Sequence, residues 1–89
     1  MSQWRLQFED GALKDLLRLS SPVRARVERY LDDEVLARAH PRLLGKALQG
    51  KLKGLWRYRV GDVRIIARLK DDIMVVLVVD VGNRREIYR

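Results

Sequence analysis

The chain has 89 residues, of which 47% are hydrophobic and 35% are charged, and its formal net charge is +7 at pH 7. This length and composition predict one folded domain over residues 1–89 with a thin core, and they are not those of a disordered chain. The absence of cysteine excludes disulfides, thiolate zinc sites and a thiol nucleophile, and it favours a cytoplasmic location.

The excess positive charge is concentrated in the second half of the chain. Residues 1–50 carry nine Lys or Arg against seven Asp or Glu, whereas residues 51–89 carry ten against five. A charge of this size predicts a polyanion or an acidic protein as the partner, bound by the second half. A generic solubilising surface explains the composition equally well.

The longest apolar run, residues 73–79, is far too short to span a bilayer, and the N-terminus lacks a secretory signal pattern, so we expect no membrane association.

The first half of the chain predicts one strand followed by two helices. Residues 3–8 alternate between apolar and polar side chains, which indicates a strand with one buried face. Glu9 and Asp10 then favour the start of a helix, and Ser21 with Pro22 favours the start of a second one. The tight connection predicts an antiparallel helical hairpin. The apolar stripe predicted for the first helix is formed by Ala12, Leu13, Leu16 and Leu17.

The second half predicts strands. Residues 41–51 are expected to be a connection, after which residues 55–60 and 63–69 alternate around the turn signal Gly61-Asp62 and predict a β-hairpin. Residues 73–79 are apolar throughout, which is typical of a central strand, and residues 81–83 are expected to end it. The predicted fold class is α+β, with an N-terminal strand, a helical hairpin and then a twisted, mostly antiparallel β-sheet, in the order β-α-α-β-β-β.

The two-residue turn also predicts the pairing of side chains across the hairpin. With Val60 opposite Val63, Arg59 faces Arg64 and Leu55 faces Arg68. One face of the hairpin is then apolar and is expected to be core: Trp56, Tyr58, Val60, Val63, Ile65 and Ala67. The other face gathers four guanidinium groups beside two apolar residues: Arg57, Arg59, Arg64, Arg68, Ile66 and Leu55.

Two like charges placed directly opposite each other destabilise a strand pair by up to about 1 kcal/mol. The predicted pair of Arg59 and Arg64 has no carboxylate beside it on that face of the hairpin. A phosphate bound between them would reverse the sign of the interaction, because guanidinium groups bind phosphate with two parallel hydrogen bonds. The alternative is a solvated face on which arginine stems cover apolar side chains.

Two segments carry a resemblance to a known family. Residues 52–66, LKGLWRYRVGDVRII, and residues 81–89, VGNRREIYR, stand on either side of an acidic turn and an apolar strand. Together they resemble the RelE branch of the RelE/ParE toxin superfamily, and the resemblance covers essentially the whole chain. It implies a toxin of a type II toxin-antitoxin system that enters the ribosomal A site and cleaves the messenger RNA, through attack of the ribose 2′-hydroxyl on the adjacent phosphate. It implies no metal and no small-molecule cofactor, and it implies the ribosome, mRNA and a cognate antitoxin protein as partners.

The resemblance also assigns roles to individual residues. Arg64 and Arg84 would stabilise the charge of the transition state, and Tyr88 would stack on a base and help to orient it or move a proton. The residues that match the family's catalytic positions are Arg57, Arg59, Arg64, Arg84 and Tyr88. The cations expected to contact RNA around them are Lys53, Arg68, Arg85 and Arg89.

Two departures from the family pattern leave the general base unassigned. Some relatives have lysines where this chain has Arg57 and Arg59, and arginine is a poor base because its guanidinium group stays protonated at neutral pH. Many relatives have histidine at the position of Asn83.

Two other functions stay open: a ParE-like toxin that poisons DNA gyrase, and a non-catalytic RNA-binding module. His40 is expected to be a loop residue, and the carboxylates of residues 32–34 and 71–72 are expected to be solvated.

Overall fold

A computed structural model describes residues 3–37 and 40–83 of the chain. The element bounds are β1 Arg5–Phe8, α1 Asp10–Arg18, α2 Ser21–Tyr30, β2 Lys46–Ala47, β3 Leu55–Val60, β4 Val63–Lys70 and β5 Val75–Asn83. Short helical turns complete the connections: a π-helical turn at Leu31–Val35 and 3₁₀ turns at Pro41–Leu43 and Gly50–Leu52. Within the described ranges, no helix is long and apolar enough to cross a membrane.

The strands form one sheet in the order β1-β5-β4-β3-β2. β1 runs parallel to β5, and the other neighbours are antiparallel. The α+β class, the N-terminal strand, the two consecutive helices and the mostly antiparallel sheet are therefore confirmed. Strand β2 lies inside the predicted connection of residues 41–51 and was not predicted, because a two-residue strand is too short to show an alternating pattern.

The helices cover one face of the sheet, and the core lies between them and that face. Ala12 and Leu16 of α1 and Val27 of α2 are almost fully buried there. Leu13 and Leu17, which we expected in the same stripe, remain 42% and 57% exposed. The buried stripe of α1 is narrower than predicted because the helix contacts the sheet along a single i, i+4 row. The sheet contributes these buried residues to the core: Tyr58, Val63, Ile65, Ala67, Leu69, Val76, Val78 and Val81.

The last described strand, β5, begins later and ends later than the sequence predicted. Ile73 is 51% exposed, and Met74 has a φ of 53°, so both belong to the turn before the strand. The strand then continues to Asn83, although residues 81–83 were expected to end it. Gly82 does not break the strand because β4 supplies hydrogen-bonding partners along its whole length, past a register shift.

The connection between the helices and β3 is held by contacts that fix the position of β2. The Tyr58 hydroxyl donates a buried hydrogen bond of 2.6 Å to the Pro41 carbonyl. The Arg42 guanidinium donates two hydrogen bonds of 2.8 Å to the carboxylate of Asp71 and lies 5.3 Å from the ring centroid of Trp56. These hydrogen bonds hold the pKa of Asp71 below its ordinary value.

Candidate nucleic-acid interface

The β3–β4 hairpin has the pairing that the sequence predicted. Arg59 lies opposite Arg64, Arg57 opposite Ile66, and Leu55 opposite Arg68. Gly61 has a φ of 57°, which suits the first central position of a two-residue type II′ turn. Because directly opposite residues share a face, Arg59 and Arg64 project from the same side of the sheet. This is the side that faces away from the two helices.

The arginines of this face differ in their exposure. Arg59 and Arg68 are exposed and Arg57 is half-buried, whereas Arg64 is only 3% exposed. The burial of Arg64 therefore goes against the alternative interpretation of this face as fully solvated. Its neighbour on β5 is Gly82, which has no side chain to occupy the space beside it. The buried guanidinium lies in surroundings where charge interactions are stronger than in water.

The cations predicted to contact RNA extend along the hairpin away from its turn. Arg68 is four residues from Arg64 on β4, which corresponds to about 13 Å along the strand. Lys53 is exposed in the turn before β3, near the end of the hairpin where Leu55 pairs with Arg68. The face therefore carries positive charge from the Gly61 turn to the opposite end of β3.

The structure adds to the basic face one cation that was not predicted from the sequence. β2 places Lys46 directly opposite Arg57, so a second pair of like charges lies across the β2–β3 ladder. Gly45 permits this close approach, because a Cβ at that position would lie 3.1 Å from the ring of Tyr58. Nothing in the local pattern of residues 41–51 could have revealed the pair, since it depends on β2 meeting β3.

Lys46 and its neighbours line a hollow of about 220 Å³ at the edge of the sheet. Three of the five lining side chains are cations and two are largely apolar: Lys46, Arg57, Arg59, Tyr30 and Leu44. Lys46 and Arg59 are both exposed there. The hollow is thus electropositive and open to a ligand from solvent.

Four residues of the predicted site, Arg84, Arg85, Tyr88 and Arg89, lie outside the described residues. The described part of the chain ends close to the arginine pair, because Gly82 lies opposite Arg64. The roles predicted for these four residues therefore stay predictions.

Other titratable groups have contacts outside the arginine face. His40 accepts a hydrogen bond of 3.2 Å at Nδ1 from the backbone N–H of Arg42, and its ring meets Trp4 edge-on at 5.1 Å. It is half-buried in the connection after the helices. Asp80 has a raised pKa, because burial and the negative charge of Asp15 both disfavour its ionised form.

Comparisons with known proteins give a consistent result over nearly the whole chain. The family model that matches residues 6–88 describes the ParE toxin of the type II toxin-antitoxin system parDE. Toxin RelG of Mycobacterium tuberculosis is 30% identical over 86 residues, which are 97% of this chain and 97% of RelG. The fold matches a chain of the toxin-antitoxin complex RelBE2 from the same organism with a TM-score of 0.85 and 26% identity, over 94% of each chain. It matches a mutant of E. coli toxin RelE in the free state with a TM-score of 0.78 and 28% identity, over 99% of this chain and 92% of that one.

Proposed function

The chain belongs to the ParE toxin family of type II toxin-antitoxin systems, within the RelE/ParE superfamily, and we propose that it is a ribosome-dependent messenger endoribonuclease. The observation that carries the proposal is the pair of Arg59 and Arg64 on one face of the hairpin. A phosphodiester is the ligand whose charge and geometry suit two neighbouring guanidinium groups. Similarity to Toxin RelG over almost the full length adds support.

The proposed reaction needs no group from outside the RNA as nucleophile. The ribose 2′-oxygen forms a bond to the adjacent phosphorus while the bond from phosphorus to the 5′-oxygen breaks. The 2′-hydroxyl loses its proton and the leaving 5′-oxygen gains one. Arg59, Arg64 and Arg84 would stabilise the additional negative charge on the phosphate oxygens, and Arg57 would hold the neighbouring backbone. Arginines remain protonated at neutral pH, so their contribution is positioning and electrostatic stabilisation.

The outer cations and the tyrosine have separate proposed roles. We assign contacts along the RNA backbone to Lys53, Arg68, Arg85 and Arg89, and stacking on a base to Tyr88. The burial of Arg64 adds a requirement, because its guanidinium must become accessible when RNA binds. A guanidinium that is already shielded from bulk water then stabilises the transition state more strongly than a hydrated one.

The test is inducible expression in a bacterium, with primer-extension mapping of messenger ends. We expect cuts inside translated codons that disappear when translation is blocked. Arg64→Ala and Arg84→Ala should each abolish growth arrest, whereas Lys14→Ala on α1 should not. Since Arg64 is buried, Arg64→Lys is the companion variant: it keeps the charge but loses the paired hydrogen bonds, and we expect cleavage to fall by roughly 10²-fold. Growth arrest retained in both alanine variants would reject the assigned site.

A second candidate is a toxin that poisons DNA gyrase, which the matched ParE model favours. Purified protein incubated with gyrase and supercoiled plasmid would then accumulate cleaved DNA while translated messengers remain intact. Cleaved messengers without accumulation of cleaved DNA would instead identify the endoribonuclease. Binding of RNA without either activity would instead indicate a non-catalytic RNA-binding module.

We also propose a cognate antitoxin with an acidic or amphipathic segment that covers the basic face. The net charge of +7 and the toxin-antitoxin complex formed by the RelBE2 relative support this proposal. Co-expression with the product of a neighbouring gene should restore growth, and charge-reversal at Arg59 should weaken the complex. An antitoxin whose affinity is unaffected by that change would bind elsewhere on the toxin.

A further inference from the structure

We propose that Lys46, Arg57 and Arg59 form a second phosphate-binding subsite, which takes the single-stranded RNA backbone next to the scissile bond. The inference rests on the proposed function and adds a site to it. Its basis is the hollow of about 220 Å³ at the edge of the sheet, lined by these three cations. The ligand is the phosphate group of a flanking nucleotide.

Two pairs of like charges lie side by side on the same face of the sheet. Arg59 is opposite Arg64 across the β3–β4 ladder, and Lys46 is opposite Arg57 across the β2–β3 ladder. Each pair costs the fold stability on its own. Together the two pairs place four cations on three neighbouring strands, an arrangement that suits two neighbouring phosphates of one RNA backbone.

The hollow also has an apolar side. Tyr30 is half-buried and Leu44 is 37% exposed, and both contribute to its lining. A ribose or a base of the flanking nucleotide can lie against these side chains while its phosphate contacts the cations. A combination of a charged track with an apolar platform is typical of proteins that bind single-stranded nucleic acid.

A lysine on a short edge strand has a simpler explanation, which the experiment must separate from RNA binding. Charged side chains on edge strands prevent the pairing of sheets from different molecules. Glutamate would serve that purpose as well as lysine does. Lys46→Glu therefore keeps the edge charged but reverses the interaction with phosphate, whereas Lys46→Arg keeps the positive charge.

The first measurement is fluorescence anisotropy with a short 2′-O-methyl RNA, which binds but cannot be cleaved because it has no free 2′-hydroxyl. Each phosphate contact contributes about 0.7 to the slope of log affinity against log salt for single strands. Lys46→Ala should therefore lower that slope by about 0.7, so that between about 50 and 200 mM salt the native chain loses about 2.5-fold more affinity than the variant. Lys46→Arg should retain the native slope, and Lys46→Glu should lose at least as much as Lys46→Ala.

The matched controls lie outside the hollow or lack charge. Lys14→Ala and Lys14→Glu on α1 change the net charge equally and should leave the slope unchanged. Leu44→Ser should weaken RNA binding without changing the slope, because it removes an apolar contact and no cation. If Lys46→Glu binds RNA with the native affinity and the native salt slope, the subsite is refuted and the edge-strand explanation of Lys46 remains.

The second measurement distinguishes failure of the subsite from failure of the proposed function. On programmed ribosomes, Lys46→Ala should raise the toxin concentration needed for half-maximal cleavage while the maximal rate stays native. Cleavage by the native chain with no change in Lys46→Ala or Lys46→Glu would refute the subsite alone. If the native chain does not cleave the messenger, the proposed function fails, and the slopes of the anisotropy measurement still decide the subsite. If it neither cleaves nor binds RNA, both proposals are refuted.

Discussion

Replacing Arg59 with glutamine should make the protein more stable and less active at the same time. The side chain is exposed and lies directly opposite the almost fully buried Arg64. In a hairpin with a two-residue turn, this pair falls at a position without mutual hydrogen bonds, where the two Cα atoms are only about 4.5 Å apart. Glutamine keeps most of the stem of arginine but removes its charge, so the substitution isolates the repulsion.

The size of the gain follows from the pairing. Two unit charges about 6 Å apart repel by about 0.7 kcal/mol even at the dielectric constant of water. Measured like-charge pairs on facing strands cost up to about 1 kcal/mol. We therefore expect Arg59→Gln to raise the free energy of unfolding by about 0.5–1 kcal/mol, which for a domain of this size raises Tm by about 2–8 °C. Messenger cleavage should fall by roughly 10²-fold, because one phosphate contact is lost.

The assay is urea and thermal unfolding of the native chain and of Arg59→Gln, with Lys14→Gln as the control. Lys14→Gln changes the net charge by the same amount but lies on an exposed part of α1, so its stability should stay within about 0.5 kcal/mol of native. At about 1 M salt, where the screening length is about 3 Å, the gain of Arg59→Gln should largely disappear. A gain no larger than that of the control, or one that persists in high salt, would refute the reasoning.

Three further changes test contacts of the fold. Tyr58→Phe should lower the free energy of unfolding by about 1–3 kcal/mol in urea, because the buried carbonyl of Pro41 loses its donor. Asp71→Asn should lower Tm at neutral pH, because it breaks the paired hydrogen bonds from Arg42. Since those hydrogen bonds lower the pKa of Asp71, the difference in Tm should be present above pH 3.8, the ordinary pKa of this carboxyl, and should be lost as the pH falls below it. Asp80→Asn should raise the free energy of unfolding by up to about 0.5 kcal/mol at pH 7. Because the pKa of Asp80 is raised above 3.8, that gain should shrink as the pH falls through the raised value, when the native carboxyl takes up its proton.

Local patterns in the sequence were sufficient for most of the fold. The alternation on both sides of Gly61-Asp62 led to the correct pairing of β3 with β4, residue by residue. A two-residue turn leaves a hairpin little freedom of register, and a slip by one residue would have exposed Tyr58 and buried the arginines. The helix starts and the α+β class followed from spacing and helix-start signals in the same way.

The predictions that were wrong concern burial and strand ends, which depend on contacts with segments far away in the chain. Leu13 and Leu17 have helical spacing, but only the row of Ala12 and Leu16 meets the sheet. Gly82 ends a strand in most local contexts, yet here β4 supplies its hydrogen-bonding partners. The number of apolar residues in a segment does not determine which of them a neighbouring element will cover.

The same distinction between local pattern and distant contacts applies to the candidate site. The sequence by itself determined that Arg57, Arg59, Arg64 and Arg68 share one face, because the side chains of a strand alternate and the turn sets the register. Only the tertiary structure decided that Arg64 is buried while Arg59 is exposed, and that Lys46 lies opposite Arg57. Burial and the meeting of β2 with β3 are consequences of packing between segments far apart in the chain, and no local pattern of residues encodes them.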